Sequence, residues 1–274
     1  MKILEGKSVS ENISKTFEER INRLKTKPHI AVLGIEGSNE SNVYINTIRK
    51  NCGKYGIDFT LLQAKNEEEF KTNFENIKNN EEITGIMIQT PIPKHLEDLI
   101  NTIPPEKDVE GIGIENMGKL FTGKKDPLVP CTSMAVIKTL DFYGIDLEGK
   151  KVAVVGRSNI VGKPLIPLLL QKNATVTVCH SKTKNLSEET KAADVVIMAI
   201  GKAKFLKKED IKEGAILIDV GINFEDGKIV GDIDFESVKE KANACTPVPG
   251  GIGTVTNTLL LDNVIKSIEL KMRQ

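Results

Sequence analysis

Two runs limit what this chain can become: Asp194-Val-Val-Ile-Met-Ala-Ile200 and Ala215-Ile-Leu-Ile-Asp-Val220. Each is nearly continuous in apolar side chains, far shorter than the ~20 residues that cross a bilayer. Neither shows the three-to-four-residue spacing of an amphipathic helix. A short run apolar on every side suits a strand covered on both faces, as in a parallel sheet flanked by helices. Lys151-Val-Ala-Val-Val155 and Thr175-Val-Thr-Val-Cys179 are two more strands, and the stretch 163–171 between them reads as a helix. The first ~120 residues alternate in the same way. Strands are expected at 29–34, 58–62 and 85–89, with helices over 8–27, from the cap residues Ser38-Asn-Glu-Ser41 to Tyr55, and over 66–80. A polar stretch at 122–127 precedes a helix over 132–143, and the loop Thr246-Pro-Val-Pro-Gly-Gly-Ile-Gly253 precedes a last helix over 256–271. The fold class is therefore α/β, two-lobed and mainly parallel, with the cleft between lobes as the expected site.

Charge excludes other classes. The 38 Lys and Arg balance 38 Asp and Glu, and the net charge is zero. A general nucleic-acid binder needs a cationic excess, so none is expected. Nor is a membrane span, because charged residues recur throughout. Met1-Lys-Ile-Leu-Glu5 lacks the apolar core of a secretory signal, and the expected location is the cytoplasm. Cys52, Cys131, Cys179 and Cys245 lie far apart, as do His29, His95 and His180. Neither set has metal-ligand spacing, and no metal site is expected.

The strand 151–155 runs into Gly156-Arg-Ser-Asn-Ile-Val-Gly162, and a helix follows. Free N–H groups and the helix dipole make such a junction attractive to phosphate. Ser158 and Val161 occupy the second and third glycine places of the usual dinucleotide pattern, so the junction alone is a weak signal. The end of the next strand adds to it. An acid there commonly holds the ribose 2′-hydroxyl of NAD, but the segment reads Cys179-His-Ser-Lys-Thr183. With Arg157 in the first turn, a cationic, hydroxyl-lined pocket favours the 2′-phosphate of NADP.

Several motifs then occur together. They are Ser41-x-x-Tyr44, Gln89-Thr-Pro-Ile-Pro93, Pro105-x-Lys-Asp-Val-Glu-Gly111, Asn116-x-Gly-x-Leu120, Pro130-Cys-Thr132, the 156–164 and 173–183 segments, and the 246–253 loop. In this order they closely resemble the bifunctional methylenetetrahydrofolate dehydrogenase/methenyltetrahydrofolate cyclohydrolase family, over nearly the whole chain. The resemblance implies a folate-binding catalytic domain over 1–121, completed by the C-terminal helix at about 254–274, and a Rossmann-like NADP-binding domain over 122–253. It implies tetrahydrofolate derivatives as substrates, one-carbon metabolism as the setting, and a homodimer. Tyr44 matches the tyrosine that stacks on the pterin–aminobenzoyl portion, Gln89 the glutamine near the reacting bridge, and Glu110 the acid on the amino-pyrimidine edge. Pro249, Gly250 and Gly251 fall at the substrate. Gly156, Arg157, Ser158, Val161, Gly162, His180, Ser181, Gly201, Ile222 and Gly253 fall at the cofactor.

The departures sit on the folate side. Glu110 stands where the family has Asp, Ser133 where Pro is usual, and Thr254-Val255 where Pro-Met is usual. The family pattern Tyr-x-x-x-Lys puts a cation one helical turn beyond the tyrosine, but the fourth residue here is Ile48. Lys50 is no shifted substitute, because two further positions turn about 200° around a helix. The absent lysine is credited with proton handling in cyclohydrolysis, which isoleucine cannot perform. The expectation is an NADP-dependent dehydrogenase with cyclohydrolase activity reduced or absent. Three alternatives stand beside it: a fully bifunctional enzyme using another acid or base, a shikimate-dehydrogenase-like enzyme, and a binding protein without chemistry. The shikimate-type enzyme would want a Lys–Asp pair in its cleft and leaves the 246–253 loop unexplained.

Overall fold

The computed structural model describes residues 1–36, 42–124 and 126–273, with Asn42 and Val43 described by backbone alone. In chain order, the first elements are β1 (Lys2–Ile3), α1 (Gly6–Ser14), α2 (Phe17–Asn22), β2 (His29–Ile35), α3 (Asn42–Tyr55) and β3 (Asp58–Ala64). Next come α4 (Glu67–Asn79), β4 (Gly85–Ile88), a 3-10 turn over Lys94–Thr102, α5 (Ile114–Phe121) and α6 (Cys131–Phe142). The chain continues through β5 (Lys151–Val155), α7 (Gly162–Leu170), β6 (Thr175–Cys179), α8 (Leu186–Ala192) and β7 (Val195–Met198). After a short 3-10 turn it ends with β8 (Ile216–Asp219), β9 (Asn223–Glu225), β10 (Lys228–Val230), α9 (Phe235–Val238), β11 (Ala244–Cys245) and α10 (Ile252–Lys271).

These elements form two compact units. One holds Ile13–Cys131 with Asn257–Gln274, the other Met1–Asn12 with Thr132–Thr256. In the first unit, β2 is the middle of a three-stranded parallel sheet ordered β3-β2-β4. Its strands interleave with α3 and α4, as the alternation of the sequence requires. Phe70, Phe74 and Ile77 of α4 bury one stripe against Ala31, Leu33 and Ile86 of the sheet. The start of α4 follows from Asn66, whose side chain accepts from the Glu69 N–H at 2.9 Å, with three glutamates in the first turn. Its far end is closed by Lys107, whose buried ammonium donates to the Lys78 and Asn80 carbonyls at 2.9 and 2.8 Å. The lysine of the Lys-Asp-Val-Glu-Gly motif is thus a helix cap.

In the second unit six strands run in the order β1-β11-β8-β7-β5-β6, each paired in parallel with its neighbours. The apolar strand runs read from the sequence are its centre, with Val154, Val196, Ile197, Leu217 and Ile218 fully buried. From β5 the chain passes through α7 to β6 on one side, then through α8 back to β7 on the other. The order therefore reverses between β5 and β7, and the crevice outside such a reversal is where open α/β sheets bind ligands.

Two expectations need correction. The helix expected over 8–27 is two helices, broken at Lys15 and Thr16. The last helix starts at Ile252 instead of about 256, because the glycine-rich loop turns directly into it. Residues 1–12 cluster with the second unit, where β1 pairs with β11, Lys2 facing Ala244, and Tyr143 Oη donates to the Glu5 carbonyl at 3.0 Å. The caps expected at Ser38–Ser41 lie outside the described residues. Among the described residues no helix is long and apolar enough to cross a membrane, and no group of three His, Cys, Asp or Glu could hold a metal ion.

Candidate functional site

The structure distributes the candidate residues over two half-sites, one in each unit. In the unit of 13–131 and 257–274, α3 carries Tyr44, Ile48 and Cys52 at four-residue spacing, so they share a helix face. Tyr44 is half-buried, while Ile48 and Cys52 are fully buried. Burial, then the nearby Glu110 carboxyl and Cys131 thiol, push the Tyr44 phenol well above its ordinary range. It therefore stays a neutral hydroxyl at any physiological pH. Both groups that act on the phenol are acids, and Ile48 adds no opposing cation.

Glu110 follows Asp108 and Val109 along the edge of β4. Burial of its carboxyl, with the adjacent Asp108, raises it to about 8, against an opposing hydrogen bond from the Ile88 N–H. The free protein thus holds Glu110 largely protonated at neutral pH. A ligand presenting two N–H donors would favour the carboxylate and draw the proton off.

Gln89, directly after β4, is 3 % exposed. Its Oε1 accepts from Gln63 Nε2 at 2.7 Å, and its N–H donates to the Leu33 carbonyl at 2.8 Å. A Cβ on Gly34 would lie 2.5 Å from that Oε1, so glycine in β2 makes room for the amide. The three residues read as catalytic therefore all belong to this unit, and Glu110 acts directly on Tyr44.

Sequence reasoning missed the frame around them. Asp108, 2 % exposed, accepts from the Gly113 N–H at 2.8 Å and from Asn116 Nδ2 at 3.0 Å. Asn116 Oδ1 in turn accepts from the Leu128 N–H at 3.1 Å. Asn263 of α10 donates through Nδ2 to the Val109 carbonyl at 2.8 Å and the Val129 carbonyl at 3.0 Å. Val109 precedes Glu110 and Val129 lies two residues before Cys131, so this amide fixes both approaches. The available signal was one neutral amide in the apolar series Leu259 to Ile265.

The second half-site lies at the carboxyl ends of β5, β6 and β7. Gly156 adopts φ +134°, and a Cβ there would meet the Ala199 carbonyl oxygen at 2.3 Å. A Cβ on Gly162 would meet the Gly156 carbonyl oxygen at 2.1 Å. Glycine at both positions lets the loop coil tightly ahead of α7. Ser158 Oγ accepts from the Val161 N–H at 3.2 Å, and Ser133 Oγ donates to the Val161 carbonyl at 3.0 Å. Ser133, the departure from proline, ties α6 to this loop. Arg157 and Ser158 are exposed, as are Ser181 and Lys182 after β6. His180 is half-buried, its N–H donating to Thr183 Oγ1 at 2.8 Å and its Nδ1 accepting from the Lys182 N–H at 3.1 Å.

Gly201 (φ +64°) follows β7, and Ile222, 60 % exposed, follows β8. A Cβ on Gly253 would lie 4.0 Å from Ile222 Cδ1. In the loop before α10, Gly250 adopts φ +101° and accepts from the Gly6 N–H at 2.8 Å, with Pro249 exposed beside it. Gly251 is buried, and a Cβ there would meet the Pro247 carbonyl oxygen at 2.4 Å. The Gly156–Gly162 cradle at a helix start, with an exposed guanidinium beside it, fits a dinucleotide phosphate group.

Known proteins resemble the chain across both units. The family model described as tetrahydrofolate dehydrogenase/cyclohydrolase, catalytic domain, matches residues 4–110, and the one described as the same family's NAD(P)-binding domain matches residues 130–272. The bifunctional protein FolD of Caldanaerobacter subterraneus subsp. tengcongensis is 45 % identical over 276 residues, spanning 99 % of this chain and 98 % of that one. The crystal structure of the bifunctional FolD methylenetetrahydrofolate dehydrogenase/cyclohydrolase of Campylobacter jejuni superposes with a TM-score of 0.94 at 38 % identity, covering 99 % of each chain. The Trypanosoma brucei methylenetetrahydrofolate dehydrogenase-cyclohydrolase, complexed with NADP and an inhibitor, gives 0.92 at 30 % identity, covering 99 % and 98 %. With both family models matched and relatives aligning end to end, this chain belongs to the tetrahydrofolate dehydrogenase/cyclohydrolase family.

Proposed function

We propose that the chain catalyses NADP-dependent oxidation of 5,10-methylenetetrahydrofolate to 5,10-methenyltetrahydrofolate, and that cyclohydrolysis of the product is reduced or absent. The reaction removes hydride from the carbon bridging N5 and N10, leaving a cation delocalised over both nitrogens. That step needs ring-to-ring alignment more than a strong acid or base. NADP, when bound, supplies the hydride acceptor. Gly156, Ser158, Val161 and Gly162 would hold its pyrophosphate by backbone N–H groups and a hydroxyl. Arg157, with His180 and Ser181, would hold the 2′-phosphate, and Gly201, Ile222 and Gly253 would line the remainder. Tyr44, stacked on the pterin–aminobenzoyl portion, and Glu110, on its amino-pyrimidine edge, would orient the folate. Gln89 would meet the reacting bridge, with Pro249, Gly250 and Gly251 closing on the substrate. The division of the chain follows the same reading: a folate-binding domain over 1–121 with the C-terminal helix, its first twelve residues clustering with the other unit, and a dinucleotide-binding domain over 122–253.

The observation that carries the loss of cyclohydrolysis is Ile48, fully buried one turn beyond Tyr44. Hydrolysis needs an activated water and a proton delivered to the departing nitrogen. A second reading keeps both activities through another acid or base; Glu110, which holds its proton near neutrality in the free protein, serves in that role only if it does not give the proton up on binding the pterin edge. Two assays on the purified protein test these readings. NADPH absorbance should rise with methylenetetrahydrofolate and NADP, and no rise would refute the dehydrogenase. Methenyltetrahydrofolate should decay at the buffer-catalysed rate; faster decay that vanishes in Glu110→Gln would support the second reading.

A further inference from the structure

The loops that follow β7 and β8 hang on a single buried carboxylate. Asp232 is 0 % exposed. Its Oδ2 accepts from the Ile200 N–H at 2.7 Å and the Gly201 N–H at 3.1 Å, and its Oδ1 from the Lys202 N–H at 2.7 Å and Asn223 Nδ2 at 3.0 Å. Four donors fill the acceptor capacity of an ionised carboxylate. The group is itself held in place. Asp219, at the end of β8, accepts from the Asp232 N–H at 3.0 Å, the Ile233 N–H at 2.8 Å and the Gly221 N–H at 3.0 Å. Gly221 and Gly231 supply the room, since a Cβ on the first would strike Asp232 Cγ at 2.2 Å and on the second Asp219 Oδ2 at 2.0 Å. Neither aspartate has a place in the chemistry so far.

We propose that Asp232 is a positioning residue for the cofactor, holding the 200–202 loop and the Asn223 end of the Ile222 loop in one fixed relation. The inference rests on the NADP reading above and assigns what shapes that site without touching it. The 200–202 loop continues from Ala199, whose carbonyl packs against Gly156, so its placement reaches the phosphate cradle at the sheet's reversal point. Gly201 takes a left-handed conformation, and the carboxylate satisfies the N–H groups on both sides of it. Asn223 is joined to the same carboxylate, and its neighbour Ile222 is the exposed apolar side chain of the site. An amide at 232 has one oxygen for two donor pairs, and its own N–H2 would face N–H groups.

The test is NADPH binding by titration of the full-length protein, together with separate KM values for NADP and methylenetetrahydrofolate. Asp232→Asn should weaken NADPH by about tenfold, the cost of one unsatisfied donor pair, with the folate KM within about twofold of wild type. Asn223→Ala, which removes one donor and leaves the carboxylate, should weaken NADPH by about threefold on the same reasoning. Unchanged NADPH affinity in folded Asp232→Asn overturns the inference, and so does equal weakening of both substrates. If Asp232→Asn does not fold, Asn223→Ala decides: selective loss of NADPH supports the inference and unchanged affinity overturns it. Failure of the wild-type protein to bind NADPH removes the cofactor reading itself, and the inference with it.

Discussion

Ile48 lies one helical turn beyond Tyr44 on α3, fully buried where Tyr44 is only half-buried. The helix face that carries Tyr44 thus closes, four residues on, into hydrocarbon. A cation there would stabilise the ionised forms of Glu110 and Cys131 beside the phenol. Its absence leaves that half-site with acids that hold their protons.

Restoring the cation is the direct test. Ile48→Lys should raise methenyltetrahydrofolate hydrolysis by about tenfold or more, within the usual contribution of a positioned acid or base. It should also cost about 2–4 kcal/mol of stability, because an ammonium replaces a fully buried side chain. Hydrolysis assays and urea denaturation read the two effects separately. No gain in hydrolysis from a folded variant would move responsibility to Glu110, Ser133 or the Thr254-Val255 pair.

Glu110 makes stability depend on pH. Its carboxyl titrates near 8 in the folded chain against an ordinary value of 4.5. The folded state therefore keeps a proton that the unfolded chain releases. The associated stability is fully present below about pH 4.5 and is lost as pH rises through about 8. Asp219, raised to about 7 mainly by burial, acts in the same direction. Glu110→Gln should flatten part of the decline between pH 5 and 8, read as melting temperature against pH. A slope identical to wild type would remove Glu110 as its source.

Arg157 should decide which dinucleotide is used. Arg157→Ala removes the exposed guanidinium at the β5 end and leaves the Gly156 and Gly162 geometry intact. The KM for NADP should rise by about 10- to 100-fold, the loss of a charge-assisted phosphate contact. The KM for NAD should change little. Equal loss with both cofactors would contradict a 2′-phosphate contact.

Asn263 should matter to stability and to the folate half-site together. Asn263→Ala leaves the buried Val109 and Val129 carbonyls without their shared donor. The expected cost is about 2–4 kcal/mol. The folate KM should rise while the NADP KM holds, because Val109 leads into Glu110. A stable variant with unaltered folate KM would show that Val109 and Val129 are held by other means.

Much of this was legible before any coordinates. The strands β5, β7 and β8 appear in the sequence as apolar runs, because burial on both faces leaves no room for polar alternation, whereas β6, at the sheet edge, alternates Thr with Val and is only partly buried. The junction at Gly156 was visible for the same physical reason, a glycine where a strand must turn sharply into a helix. The resemblance supplied the roles of Tyr44, Gln89 and Glu110. What stayed hidden has no local signature. The pairing of Lys2–Ile3 with Ala244–Cys245 uses backbone groups alone across more than two hundred residues. The helix break at Lys15 and Thr16 falls in a stretch whose charge pattern continues without interruption. Asp219 and Asp232 look like ordinary strand-end acids until their donors are seen, and Lys107 looks like a site cation until its carbonyl partners are seen.

The interleaving of the two units also shapes how the chain is made. The unit of 13–131 waits for Asn257–Gln274, and β1 waits for β11. On the ribosome, where segments emerge in order, the unit of 13–131 cannot complete its contacts until residues 257–274 have been made, and the β8 edge that receives β11 stays open until residues 244–245 emerge. A stalled or truncated product ending before residue 244 would carry two incomplete folds, and would be a natural client for chaperones and proteases.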